Sequence, residues 1–258
     1  MSTKIDWSGW PAAYDRVILD EIDSTMTEAA RRAPSLTRPT WILALRQTEA
    51  RGRRGRAWSN PDGNFSATLV MRPNGPPDQA ALRSFVASMA LYETLAKVVD
   101  PAKLSLKWPN DVLLNGGKVA GILLEASGQG TGTDWLSVGV GINLQTAPRP
   151  AEVEARALPP VALADHTPAQ LPPEGVLFEL ACAFERWETS FRTYGFDPLR
   201  QSWLRHAARL GQPIIARTGN SQVEGIFDTV DIAGNLILTT AQGRQAIAAA
   251  DVYFQGEG

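Results

Sequence analysis

Between Arg46 and Arg56 the chain places five arginines against one glutamate, a local charge of +4 in a chain of 258 residues whose formal net charge is −2. The heart of this stretch is Arg51-Gly52-Arg53-Arg54-Gly55-Arg56. Glycines let a backbone turn tightly and aim N–H groups inward at an oxyanion, and guanidiniums add permanently charged, bidentate donors for carboxylate or phosphate. Trp58 follows at once. An aromatic ring beside arginines can cover a purine while the guanidiniums take its phosphates. Two more stretches carry chemistry: Lys107-Trp108-Pro109-Asn110-Asp111, and Lys118 inside Gly116-Gly117-Lys118-Val119-Ala120-Gly121, where small residues admit a ligand closely. Taken singly, each has a plain explanation as a solvated basic loop, a turn-forming Asn–Asp pair or a hairpin lysine. Interleaved arginine and glycine is also a texture of RNA contact.

The elements that must position these residues follow from periodicity. Residues 15–22 read as a strand, and Thr25 and Glu28 have capping-box spacing at the start of a helix over 24–33. Strands are expected at 41–46 and 65–71, on either side of the arginine loop. Phe85, Met89, Tyr92, Ala96 and Val99 recur at helical steps, which predicts one helix over 78–99. Strands at 104–107, 112–114, 119–124 and 135–143 follow, with Asn115-Gly116-Gly117 a hairpin signal and Gly128–Gly132 a further turn. The Pro/Ala-rich stretch 146–173 reads as irregular. Helices are expected at 174–193 and 198–210, the second capped by Asp197 with Pro198 at its first position. Beyond Gly211, short runs separated by Gly and Asn turns predict a small all-β unit, so a domain boundary is placed near 210, giving domains 1–210 and 211–258.

Composition bounds the answer. With 44% apolar and 20% charged residues, the chain has the balance of a soluble globular protein. It has no apolar run of membrane-spanning length and no secretory signal pattern, and its single cysteine, Cys182, excludes an internal disulfide. A cytoplasmic location is expected. The acidic balance argues against a broad nucleic-acid surface, which makes the arginine cluster a local device.

Taken together, the motifs resemble the catalytic domain of the biotin protein ligases. The resemblance rests on Asp23-Ser24-Thr25, on Gln47 leading into Arg51–Arg56 with Trp58, and on Lys107–Asp111. Lys118 with Ala120-Gly121-Ile122, and Gly139-Val140-Gly141-Ile142-Asn143, complete it. It is strong over residues 15–145, and from about 211 the chain is similar in texture to the family's small SH3-like C-terminal domain. Ala50 stands where the family's loop usually opens with glycine. The implied fold class is α+β, a central mixed sheet with flanking helices plus the small β domain. The implied reaction uses ATP and biotin as substrates, with Mg²⁺: biotinyl-5′-AMP and pyrophosphate form, and a lysine of a biotin carboxyl carrier domain of acetyl-CoA carboxylase, or of a related biotin-dependent carboxylase, takes the biotin.

The resemblance also implies roles. Ser24, Thr25 and Gln47 would hydrogen-bond biotin's ureido head, with Arg51, Gly52, Arg53, Lys118 and Gly121 also on the biotin side. Lys118 and Arg53 would be catalytic. Arg54, Arg56, Trp58, Asn110 and Asn143 would serve the nucleotide, and Asp111 would be the magnesium ligand. The loop is expected to be mobile when empty and to order over the adenylate. Only about 14 residues precede the first strand, so no DNA-binding module and no DNA binding are expected. Family members occur as monomers and as homodimers paired along sheet edges. The rival readings are a lipoate or octanoate ligase of the same architecture, and an RNA-binding module built on the loop.

Overall fold

The computed structural model describes residues 5–56, 58, 61–128, 132–149, 152–153, 158–169, 171–218 and 221–254. The expected Gly128–Gly132 turn, for its central residues, and parts of 146–173 lie outside these. Seven strands form the main sheet, in the order β1-β2-β3-β7-β6-β5-β4. They are β1 (Asp15–Ile22), β2 (Thr40–Gln47), β3 (Phe65–Met71), β4 (Leu104–Lys107), β5 (Asp111–Leu114), β6 (Gly117–Ser127) and β7 (Trp135–Ile142). Only β1 and β2 run parallel, linked by helix α1 (Thr25–Arg32); the other neighbours are antiparallel. The fold class is α+β, as expected.

The sheet is covered on one face by α3 (Arg83–Leu95) and α4 (Pro173–Tyr194), after a short α2 (Pro77–Ala81), and α5 (Phe196–Leu204) packs against both long helices. β3 is buried at every position and β2 from Thr40 to Ala44, which explains why these strands read as continuous apolar runs rather than alternating ones. A T-shaped trio of Tyr14, Trp41 and Phe184 ties the sheet to α4. The second, antiparallel sheet has the order β11-β10-β9-β8-β12, with β8 (Pro213–Arg217), β9 (Gln222–Val230), β10 (Leu236–Thr240), β11 (Gly243–Ile247) and β12 (Asp251–Phe254).

Several local expectations are corrected. The helix expected over 78–99 is two, broken at Leu82, and α3 is buried on nearly all sides rather than along one stripe. Next to the break, Arg83 turns inward to a buried pair with Glu188 of α4 at 2.7 Å. Thr25 is the first residue of α1, not its cap, and the capping box does not form: Ser24 is the N-cap without a side-chain bond, and Glu28 pairs with Arg31 and Arg32. Asp197 sits inside the first turn of α5, whose cap is Gly195, and accepts from Arg200 and Gln201. That helix ends at Leu204, before the expected 210, and the chain then runs along β4, with Leu106 N–H donating to His206 O at 2.8 Å. The β5–β6 hairpin forms as its residues require: Asn115 and Gly116 have φ of 50° and 81°.

Candidate active site

Residues 24–26, the arginine loop, the ends of β4–β7 and the start of β12 surround one cavity of about 630 Å³. Its polar end is built by α1 and β2. The Thr25 backbone N–H and hydroxyl both donate to Gln47 Oε1, at 2.7 and 3.1 Å, and Thr68 of β3 donates to Thr25 Oγ1 at 2.9 Å. This is why Thr25 is unavailable as a cap. With its oxygen so occupied, the Gln47 carboxamide offers its NH₂ to the cavity. Ser24 is buried beside it.

A charged triad lies further along. Asp111, at the start of β5, faces Lys118 of β6 at 2.6 Å and Lys107 of β4 at 3.4 Å. The register sets Lys107 directly opposite Asp111, whose partner on β6 is Gly121; Lys118, paired with Leu113, reaches Asp111 by its long side chain. Burial alone would raise the Asp111 carboxyl, but the two ammonium groups outweigh it and hold it below the ordinary carboxylate range. Burial pulls Lys107 down from its usual value, against the opposing pull of Asp111. A carboxylate engaged by two ammoniums does not fit as a magnesium ligand, and among the described residues no group of three or more His, Cys, Asp or Glu could hold a metal. In this arrangement Asp111 is the shared counter-ion of Lys107 and Lys118 at the cavity wall.

The arginine loop folds across the cavity mouth. Arg51 forms a bidentate pair with Glu125 of β6, its second contact at 3.0 Å. Arg53, Arg54 and Arg56 converge on Asp251 of β12 at 3.6, 2.6 and 2.9 Å. Three guanidiniums thus share this one carboxylate. Arg53 also donates to Asn110 Oδ1 at 3.4 Å, and burial draws its guanidinium below the ordinary arginine value despite Asp251 and Asp111. The turn itself closes with Gly52 N–H donating to Arg56 O and Trp58 N–H to Ala50 O. The Trp58 indole lies on Gly121 and Gly141, which are cross-strand partners of β6 and β7; a Cβ at Gly141 would come 2.6 Å from the ring. Lys118 Nζ sits 5.5 Å from the centre of the same ring.

Asn110 donates to Ile122 O at 2.5 Å. Asn143 donates to Val161 O at 3.2 Å, while its buried Oδ1 has no hydrogen-bond partner among the described residues. An orphaned buried acceptor at a cavity wall suits a ligand N–H. Of the expected site residues, Ser24, Thr25, Gln47, Arg51, Gly52, Arg53, Arg56, Trp58, Asn110, Asp111, Lys118, Gly121 and Asn143 line the cavity; Arg54 does not and serves the Asp251 cluster.

Sequence reasoning missed other parts. Lys107 stood in a motif already singled out but had no role. Met26 adjoins Thr25, and Gly139 stood in a motif already singled out but had no role. Pro148, Val153, Leu158 and Pro160, from the stretch read as an irregular excursion, line the cavity as well, as do Asp251, Val252 and Tyr253. No local signal marked Asp251, which lies nearly two hundred residues from its arginine partners.

Comparison with known proteins agrees with this geometry. Residues 18–143 match the biotin/lipoate A/B protein ligase family, and residues 210–255 match the biotin protein ligase C-terminal domain. The chain is 52% identical to a biotin–[acetyl-CoA-carboxylase] ligase of Paracoccus denitrificans over 93% of its own length and 100% of the relative's. It is 29% identical to the bifunctional ligase/repressor BirA of Bacillus subtilis (strain 168), over 83% of this chain and 65% of that protein. Among solved structures, the biotin protein ligase of Aquifex aeolicus in complex with biotin and ATP superposes with a TM-score of 0.77 at 24% identity, covering 92% of this chain and 98% of that one. The chain belongs to the biotin protein ligase family.

Proposed function

We propose that this chain activates biotin with ATP and transfers it to a lysine of a biotin carboxyl carrier domain. The observation that carries the reading is the convergence, in one cavity, of a neutral polar end at Thr25 and Gln47 with the cations of Arg53, Arg56, Lys107 and Lys118. A ureido ring is neutral and hydrogen-bonding, so it suits the first; a carboxylate meeting a triphosphate needs the second.

In the first half-reaction a biotin carboxylate oxygen attacks the α-phosphorus, the O–P bond to the β-phosphate breaks, and pyrophosphate leaves. Lys118 stabilises the charge that builds between the two anions, and Asp111 fixes its ammonium there. Arg53 and Arg56 hold phosphate oxygens at the mouth. The Asn143 carbonyl accepts from the base, Asn110 holds the Ile122 strand edge, and Trp58 covers the ring. In the second half-reaction the carrier amine attacks the acyl carbon, AMP leaves and the amine loses a proton. The mixed anhydride reacts with water, so a loop folded over it preserves it until the amine arrives. Magnesium would neutralise phosphate charge during the first step; Asp111, engaged by Lys107 and Lys118, is not placed to hold it.

Residues 123–127 of β6 extend past β5 and pair only with β7, leaving an edge where a carrier or a second copy can add a strand. A cytoplasmic setting, with ATP and the carboxylase at hand, suits this reaction. No described helix is long and apolar enough to cross a membrane. The test is ATP–pyrophosphate exchange with biotin, lipoate or octanoate as the acid: exchange that requires biotin supports the reading, and exchange driven by lipoate or octanoate instead replaces it.

A further inference from the structure

Helix α1 is keyed into the main sheet at two neighbouring points. Thr25 sits against Thr68 of β3 through the hydroxyl bond at 2.9 Å. Met26, the next residue, sits against Gly139 of β7, and Thr68 and Gly139 are themselves cross-strand partners. One step of the helix therefore meets one step of the sheet, polar on polar and thioether on bare backbone. The fit at Gly139 is close: a Cβ there would lie 2.6 Å from Met26 Sδ and 3.1 Å from its Cγ, the first 0.8 Å inside the 3.4 Å at which ordinary contact begins. Met26 is 4% exposed, and both residues line the cavity beside the Thr25–Gln47 hydrogen bonds.

We infer that the Met26–Gly139 contact sets the depth of the ring subsite and makes Met26 a specificity-determining residue. The inference rests on the biotin reading above. The polar hub fixes where the ureido edge must lie, so the remainder of the fused ring extends along a wall whose position Met26 defines. Gly139 creates the recess that lets the thioether stand back. A methyl at 139 must displace the Met26 side chain, which itself lines the cavity, because its Sδ and Cγ stand 2.6 and 3.1 Å from the would-be Cβ. A thioether is unbranched and adaptable, so it adjusts to a ring without a rigid edge. Changes of one or two heavy atoms in such a pocket typically alter discrimination by about 10- to 200-fold.

The experiment is acid-dependent ATP–pyrophosphate exchange with biotin, and with biotin sulfone, which is larger by two oxygens on the ring sulfur. It is run on the full chain and on G139A, M26A, M26L and the double variant G139A/M26A, with melting temperature followed for each. We expect G139A to raise KM for biotin about tenfold, and the double variant to return it toward the wild-type value. M26A should improve the ratio of kcat/KM for sulfone over biotin about tenfold, with M26L between it and wild type. A loss in G139A that the double variant does not relieve, together with an unchanged sulfone-to-biotin ratio in M26A and M26L, overturns the inference. If the wild-type chain shows no biotin-dependent exchange, it is the ligase reading that fails, and the two failures are thereby told apart.

Discussion

Replacing Arg53 with alanine separates retention of the activated intermediate from stability of the fold. Among the described residues Arg53 makes only long contacts, 3.4 Å to Asn110 and 3.6 Å to Asp251, and Asp251 keeps two closer partners without it. Contacts of that length at a cavity rim contribute at most about 1 kcal/mol to folding. Facing a phosphate or an acyl-adenylate, the same half-desolvated guanidinium makes a charge-assisted hydrogen bond of about 1.5–3 kcal/mol. R53A should therefore release biotinyl-5′-AMP about 10- to 150-fold faster, at 1.4 kcal/mol per decade, while the melting temperature moves by only a few degrees. The assay is a chase of preformed, radiolabelled adenylate on purified protein, with thermal unfolding in parallel. An unchanged release rate removes Arg53 from this role, and a collapse of stability shows that the loop is structural instead.

Three further outcomes follow from the geometry. D251N removes the carboxylate that Arg53, Arg54 and Arg56 share, so KM for ATP should rise about 3- to 150-fold, the worth of three mostly solvent-screened pairs of about 0.2–1 kcal/mol each; D251E should recover part of it, and an unchanged or lower KM contradicts the gathering role. D111N leaves Lys107 and Lys118 without their shared counter-ion and should cost about 3 kcal/mol in urea unfolding, the lower end for a broken buried pair because Lys118 is partly exposed; an unmoved midpoint would show that the triad is not held by charge. His206 is stacked on Tyr92 at 4.0 Å, and burial, then Arg205, lowers its affinity for protons below the ordinary value of 6.5. The unfolded chain then binds the extra proton first, so the stability this ring supplies is present above pH 6.5 and lost as pH falls through its folded value; H206F should flatten that part of the stability–pH curve, and an identical slope would count against it.

What was readable in advance were features whose cause is local. The Asn115-Gly116 hairpin, the apolar strands β2 and β3, and the glycine–arginine loop all announce themselves through residue type at short spacing. The motifs resembling biotin ligases also marked most of the cavity wall. What escaped was tertiary in origin. Thr25 looked like a helix cap because the spacing to Glu28 allows it, yet Gln47 and Thr68, brought in by β2 and β3, compete for the same hydroxyl. The break at Leu82 cannot be read from a periodicity that runs through it. Asp251 gains its meaning only when β12 is laid against the arginine loop, and the ion pairs of Asp111 appear only once β4 sets Lys107 opposite it and the Lys118 side chain reaches it from β6.

A cavity built this way must both make its intermediate and keep it. Rapid mixing of the full chain with biotin and MgATP, without any carrier, should give a burst of pyrophosphate close to one equivalent per chain, followed by near silence while biotinyl-5′-AMP stays bound. Steady pyrophosphate release with no burst, or a burst that does not depend on biotin, would contradict it.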